Sequence, residues 1–247
     1  MNRLVRAELL KQRTTPVFLL AFAAVPVIAA LVTYAVYSRA GDQGNDPLGP
    51  DSLAQALGAP ASVLTLLVLL LGIVGMSGEY RHQTITNTLL VAPRRRDVVV
   101  AKMAAHTVTG VAMAMVTLAV ASTIAVPWLV SANVPVGVGG DAVRVGGGLL
   151  LSTALHAALG VAIGALVRNQ TAAIGGTLVW LLAVEGIIAN VLRSPAILDW
   201  FPGALAAALV DAGPAGVSLG AAAAGLALYA AALSVLGARF VVNRDVT

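Results

Sequence analysis

The chain has no cysteine and only two lysines, Lys11 and Lys102, in 247 residues. Without cysteine there are no disulfides and no thiolate metal sites. Neither lysine stands in a G-x-x-x-x-G-K-[ST] setting, so the chain cannot build the ordinary phosphate-binding loop. Its three histidines are scattered, and no H-E-x-x-H spacing supports a metal-dependent protease. His156 with Ser152 offers a serine–histidine pair for an intramembrane hydrolase, but no G-x-S-G signal accompanies it. The chain is therefore read as a non-enzyme that binds no cofactor or metal. Aromatic residues make up 4%, too few for a stacking surface, and the basic residues are strung along the chain rather than gathered, so a nucleic-acid partner is not expected.

Charge is scarce as well. Charged residues are 11% and hydrophobic ones 59%, where a soluble domain carries about 25% charged. Such a chain cannot clothe itself in a polar surface, and lipid is the expected solvent. A membrane span needs about 20 apolar residues, and six windows are long enough. They are residues 14–38, 52–78 (with Pro60 marking a helix start), 103–140 (with a span from Met103 to Trp128), 145–167, 169–192 and 212–238. The fifth window holds a single charge, Glu185. The first begins after a basic stretch, as a signal peptide would. Its apolar run exceeds the roughly 7–15 residues of a signal core, so a retained span is expected.

An even number of spans puts both termini on one side. With that side cytoplasmic, 12 of the 15 Lys and Arg residues face inward: Arg3, Arg6, Lys11, Arg13, Arg81, Arg94, Arg95, Arg96, Lys102, Arg168, Arg239 and Arg244. Arg39, Arg144 and Arg193 face outward, together with Asp42, Asp46, Asp51, Asp141, Asp199 and Asp211. The positive-inside rule selects this topology. The expectation is one all-α membrane domain over residues 1–247, multi-pass, with membrane lipids as its surroundings. No polar segment is long enough to form an independent soluble core.

Between the spans three segments carry structure. NRLVRAELLKQRTTP at the start reads as a short helix on the inner membrane surface, with Thr15 as N-cap and Pro16 as first residue of the next helix; a basic anchor with no defined fold is the alternative. RSPAILDWFPGALAAALVDAGP, broken by three prolines, reads as short helices or a re-entrant hairpin on the outer end. GEYRHQTITNTLLVAPRRRDVVVAK, from Gly78 to Lys102, is the one sizeable polar insertion. Arg81 to Ala92 is expected to be helical, with Ile85, Leu89 and Ala92 on one face, Pro93 ending the helix and Asp97 capping the next. Joined to spans at both ends, it can transmit force. The bland alternative is a loop whose arginines only fix topology.

Along this loop, Glu79-Tyr80-Arg81, Thr84-Ile85, Leu89-Leu90, Pro93-Arg94, Arg96 and Lys102 occur in an order that resembles the first inner loop of type-2 ABC export permeases of bacteria. RAELLKQRTTPVFLLAF resembles that family's elbow helix and first span. Val179-Trp180-Leu181-Leu182 with Glu185, then Asp199-Trp200-Phe201-Pro202, resembles its final third. The resemblance implies six spans with an interfacial elbow helix, a cytoplasmic coupling helix between spans two and three, and short outer helices before span six. It also implies an ABC exporter permease in the cell membrane, moving a drug, lipid or peptide-like substrate. ATP and Mg would be held by a separate cytoplasmic ATPase, and a second permease copy or homologue would complete the assembly. Glu79, Tyr80, Arg81, Thr84, Leu89, Pro93, Arg94 and Lys102 become the candidate ATPase-docking residues. His82-Gln83 departs from the family, which commonly has a basic residue and Gly there.

Inside the membrane, Glu185 is the one acid well within a span, a functional candidate by default. At 1.5 Å per residue it lies about 20 Å from the inner end of its helix, and His156 lies at about 17 Å. A His156–Glu185 pair is one expectation; a Glu near the outer interface is the other. The competing function is an ATP-independent secondary transporter with Glu185 as proton carrier. Gly160 and Gly164 form a G-x-x-x-G that permits close helix approach, within one chain or between two.

Overall fold

The computed structural model describes residues 1–42, 47–84, 95–192, 194–210 and 216–243. The described residues contain helices and no strand. In chain order these are α1 (Asn2–Thr14), α2 (Pro16–Tyr37), α3 (Ser52–Gly58), α4 (Ala61–Arg81), α5 (Arg95–Ser131), α6 (Gly140–Val167), α7 (Gln170–Val179), α8 (Glu185–Leu192), α9 (Pro195–Leu198), α10 (Pro202–Val210) and α11 (Leu219–Asn243). A π-helical turn, Trp180–Val184, joins α7 to α8. Among the described residues six helical segments are long and apolar enough to cross a membrane: Pro16–Tyr37, Ser52–Arg81, Arg96–Ser131, Gly140–Val167, Gln170–Leu192 and Leu219–Gly237. Each overlaps one of the six windows, the third shifted toward the N-terminus and the sixth starting at Leu219.

Helices α4 and α6 form the centre, covered by α2, α5 and α11. Leu64, Val68 and Leu71 of α4 meet Leu149 and Ala157 of α6, Met113 of α5 and Phe18 of α2 in one buried cluster. The approach of α4 to α6 is set by glycine. A Cβ on Gly160 would lie 2.1 Å from the Leu69 carbonyl oxygen, and one on Gly72 would lie 2.6 Å from the Ala157 carbonyl oxygen. A Cβ on Gly164 would lie 2.8 Å from the Ile73 carbonyl oxygen. The G-x-x-x-G therefore serves packing within the chain.

Helix α5 starts at Arg95, eight residues before the expected span, with Asp97 in its first turn. Its 37 residues make a rod of about 55 Å, longer than the ~30 Å hydrocarbon layer. The excess brings Lys102 into the helix body. At the other end of the bundle, Tyr34 and Tyr37 pack on Trp128 at 5.6 and 5.7 Å between ring centres. The Tyr37 hydroxyl donates to the Ser52 carbonyl, closing the first connection. Before α11, the short helix α10 sinks Leu205 and Leu209 into the bundle. A Cβ on Gly148 of α6 would overlap the Leu209 carbonyl, so α10 is packed against the body of α6.

Three local readings change, the first being that Asp97 stands inside the first turn of α5 rather than capping it. Thr15 sits between α1 and α2 in extended conformation, with Pro16 opening α2 as expected. Its hydroxyl, however, donates to the Lys11 carbonyl instead of capping α2. Arg81 closes α4 rather than opening a new helix. His82 follows, Gln83 takes a left-handed φ of 55°, and the Gln83 and Thr84 amides return to the Tyr80 and Glu79 carbonyls. This is a Schellman stop, which ends a helix where the apolar–polar pattern alone suggested continuation. The remainder of the expected helix, with Leu89, Pro93 and Arg94, lies outside the described residues.

Candidate functional site

The described part of the polar insertion converges on a buried ionic node. Glu8 and Gln12 are one turn apart on α1 and are its buried residues. The face of α1 that meets the bundle is thus polar. Opposite it, Lys102, His106 and Thr109 fall at i, i+4 and i+7 on α5, one side of that helix. All three are buried, Lys102 at 1% exposure.

Lys102 Nζ donates to Glu8 Oε2 at 2.7 Å, to Glu79 Oε1 at 2.8 Å and to the Gly75 carbonyl at 3.2 Å. Lys11 Nζ donates to Glu8 Oε1 and Glu79 Oε1, each at 2.8 Å. Two ammonium groups and two carboxylates thus join α1, α4 and α5 with no net charge. Lys11 is half exposed. Burial lowers its pKa, but hydrogen bonds and attraction from Glu79 and Glu8 prevail and hold it above the ordinary lysine value. Removing one member of such a buried set leaves an uncompensated charge, typically a loss of about 3–5 kcal/mol.

The seam continues one turn on. Gln12 Nε2 lies 3.1 Å from His106 Nδ1, and the Thr109 hydroxyl donates to Gln12 Oε1. The His106 ring packs edge-on against Phe18. It occupies the space beside Gly75, where a Cβ would lie 2.1 Å from its Nε2. Gly75 is therefore the vacancy on α4 that admits a histidine from α5.

At the end of α4, Tyr80 and Arg81 meet the turn between α6 and α7. The Arg168 guanidinium stands 5.6 Å from the Tyr80 ring centre, a cation–π contact. Arg81 Nη1 reaches Gln170 Oε1 at 3.5 Å. Arg168 itself takes a left-handed φ of 56°.

Of the eight candidate docking residues, five are described, and they divide. Glu79 and Lys102 face inward and hold helices together. Tyr80 is partly buried, and Arg81 and Thr84 are exposed at the rim. Glu8 and Gln12 were not singled out from sequence. The available signal was pairing of spacing: i, i+4 on one polar helix face against i, i+4, i+7 on an otherwise apolar helix.

His156 and Glu185 do not pair. The Ser152 carbonyl receives the His156 Nδ1 proton at 2.8 Å. Glu185 Oε1 accepts from Trp180 Nε1 at 2.9 Å. The Gly203 amide, in the first turn of α10, points at both carboxylate oxygens, 3.4 and 3.2 Å away. Depth along a helix does not fix facing, and Glu185 is turned to the positive end of α10. Trp180 also meets Phe201 edge-on at 6.2 Å. The Val179-to-Glu185 and Asp199-to-Pro202 stretches, separate in sequence, thus form one contact that seats α10.

In the comparisons, the family model described as ABC-2 family transporter protein matches residues 4–185, which take in α1, the ionic node and the first four spans and end at Glu185. No individual curated protein matches the chain.

Proposed function

Because the chain belongs to the ABC-2 family of transporter proteins, we propose that it is the permease subunit of an exporter driven by ATP hydrolysed in a separate cytoplasmic subunit. Both termini and residues 79–102 lie on the cytoplasmic side of the cell membrane, and two permeases, identical or related, work with two ATPases. This chain supplies no catalytic group; ATP and Mg belong to the partner. The substrate is a drug, lipid or peptide-like molecule that leaves through the membrane domain.

The observation that carries this reading is the Glu79–Lys102 contact at 2.8 Å. It ties the end of α4 to the start of α5, the two helices that flank residues 82–94. Glu8 and Lys11 add α1 to the same clamp. A push on the segment between α4 and α5 is then delivered to three helices together, as a lever requires. Arg81, Thr84, Leu89, Pro93 and Arg94 are the residues proposed to meet the ATPase, with Tyr80 held behind them by Arg168. Glu79 and Lys102 serve as the base of the lever and do not touch the partner. The role of Glu185 at the N-terminus of α10 supports a structural use of its charge, in keeping with an ATP-driven rather than proton-driven permease.

Co-purification tests this. An ATP-binding-cassette ATPase from the same genome, co-expressed with this chain, is expected to be retained by the tagged permease. Retention is expected to be lost in Arg81→Glu plus Leu89→Asp, with the permease still present in the membrane. Undiminished retention by that variant removes the docking assignment.

A further inference from the structure

Between α4, α6, α7 and α11 lies a cavity of about 320 Å³, within the size range of small-molecule sites, about 300–1,000 Å³. Leu69, Leu159, Ile163 and Leu233 are among its apolar lining residues, together with Trp180 and Pro202 at the start of α10. His156 also lines it. That residue is 4% exposed, and none of the expected partners claims it. Its Nδ1 is committed to the Ser152 carbonyl. A carbonyl only accepts, so Nδ1 carries the proton, and the neutral ring leaves Nε2 as an acceptor. No described residue makes a hydrogen bond to Nε2. Of the other polar groups at the wall, Trp180 Nε1 donates to Glu185 and the Tyr229 hydroxyl donates to the Trp200 carbonyl, while the Thr177 hydroxyl, which can both donate and accept, also borders the cavity.

We propose that this cavity is a binding site, inside a single protomer, for a membrane-partitioned amphiphile with an apolar body and one hydrogen-bond donor, such as a long-chain alcohol, whose donor is received by His156 Nε2. The chemistry follows from the wall. An apolar pocket gains from burying hydrocarbon. His156 Nε2, the wall group that can only accept, favours a ligand that supplies a donor over the same ligand without it, because an unsatisfied buried group is costly. The site is independent of the transport reading, since occupancy requires only this chain.

The test uses Trp180 as reporter, in Trp128→Phe plus Trp200→Phe chain reconstituted in lipid nanodiscs. The probes are 10-bromodecan-1-ol and 1-bromodecane, whose bromine quenches tryptophan at contact. The alcohol is expected to give saturable quenching above the linear bulk-lipid background. His156→Leu is expected to raise its half-saturation about five-fold, the loss of one ordinary hydrogen bond, without affecting 1-bromodecane. His156→Gln, which keeps an acceptor, should restore much of the difference. In case His156→Leu fails to fold, Gly176→Leu gives a second route. Gly176 borders the cavity with open space where its Cβ would stand, so leucine there meets no clash and is expected to occupy the site and abolish saturation. Three results would overturn the proposal: purely linear quenching, saturation that survives Gly176→Leu, or equal saturation by both probes that ignores His156→Leu. The last would mark a plain acyl-chain groove.

Discussion

Glu8 Oε2 and Lys102 Nζ lie 2.7 Å apart, 94 positions apart in the chain. Glu8 is the only acid before Asp42, and Lys102 is the only cation between Arg96 and Arg144. Two isolated charges, each expensive alone in an apolar chain, neutralise each other at the junction of α1 and α5. Glu79 and Lys11 complete the set, so the clamp depends on all four.

Lys102→Met is expected to lower unfolding free energy by about 3–5 kcal/mol, because Glu8 and Glu79 are left with only the half-exposed Lys11. Adding Glu8→Gln should recover part of that loss. A thermal-unfolding double-mutant cycle in detergent measures the coupling, expected at 1 kcal/mol or more. Purely additive losses would remove the clamp.

Gly160→Val should fail to assemble a stable bundle, since its Cβ would overlap the Leu69 carbonyl and backbone cannot rotate aside. Overpacking typically costs about 1–3 kcal/mol and here should exceed that. Gly175→Ala, on α7 with nothing within 4 Å of the new carbon, should be neutral or slightly stabilising. Monodispersity after detergent extraction distinguishes the two.

Gln83→Gly should stabilise the chain by up to about 1 kcal/mol. Gln83 holds a left-handed φ of 55°, which costs an L-residue about 1–2 kcal/mol, offset in part by the added freedom of glycine in the unfolded chain. A higher midpoint of thermal unfolding checks this.

Glu185→Gln should leave the proposed ATP-dependent export within about three-fold of the parent, since glutamine still offers an oxygen to the Gly203 amide. The loss should appear as a small drop in thermal stability, reflecting the lost charge at the α10 terminus, typically about 0.3–1 kcal/mol. Abolished transport with unchanged stability would instead make Glu185 a proton carrier.

Much of the fold was legible because charge is costly in lipid: the gaps between charged residues outline the six spans directly. Thr15-Pro16 marked the joint between α1 and α2 for a similar reason, proline chemistry being local. Two kinds of feature were not legible. The stop after Arg81 depends on a non-glycine residue accepting a left-handed backbone, and Gln83 gives no composition signal for that. The facing of buried polar groups depends on helix rotation. Lys102 read as a docking residue because it closes the loop that resembles the family's, and Glu185 read as one possible partner for His156 because their depths agree. In both cases the side chain is turned toward a residue distant in sequence, Glu8 or Gly203, which no local pattern identifies.

The most direct test of the central claim exploits the absence of native cysteine. A single cysteine at Thr84, carrying a maleimide-linked photo-crosslinker, is assayed in membranes containing the co-expressed candidate ATPase. The account predicts a cross-linked ATPase adduct whose yield changes on addition of ATP, with Thr84→Cys labelled by impermeant maleimide only from the cytoplasmic face. Labelling from the outside, or full cytoplasmic labelling with no ATPase adduct in any nucleotide state, would contradict it.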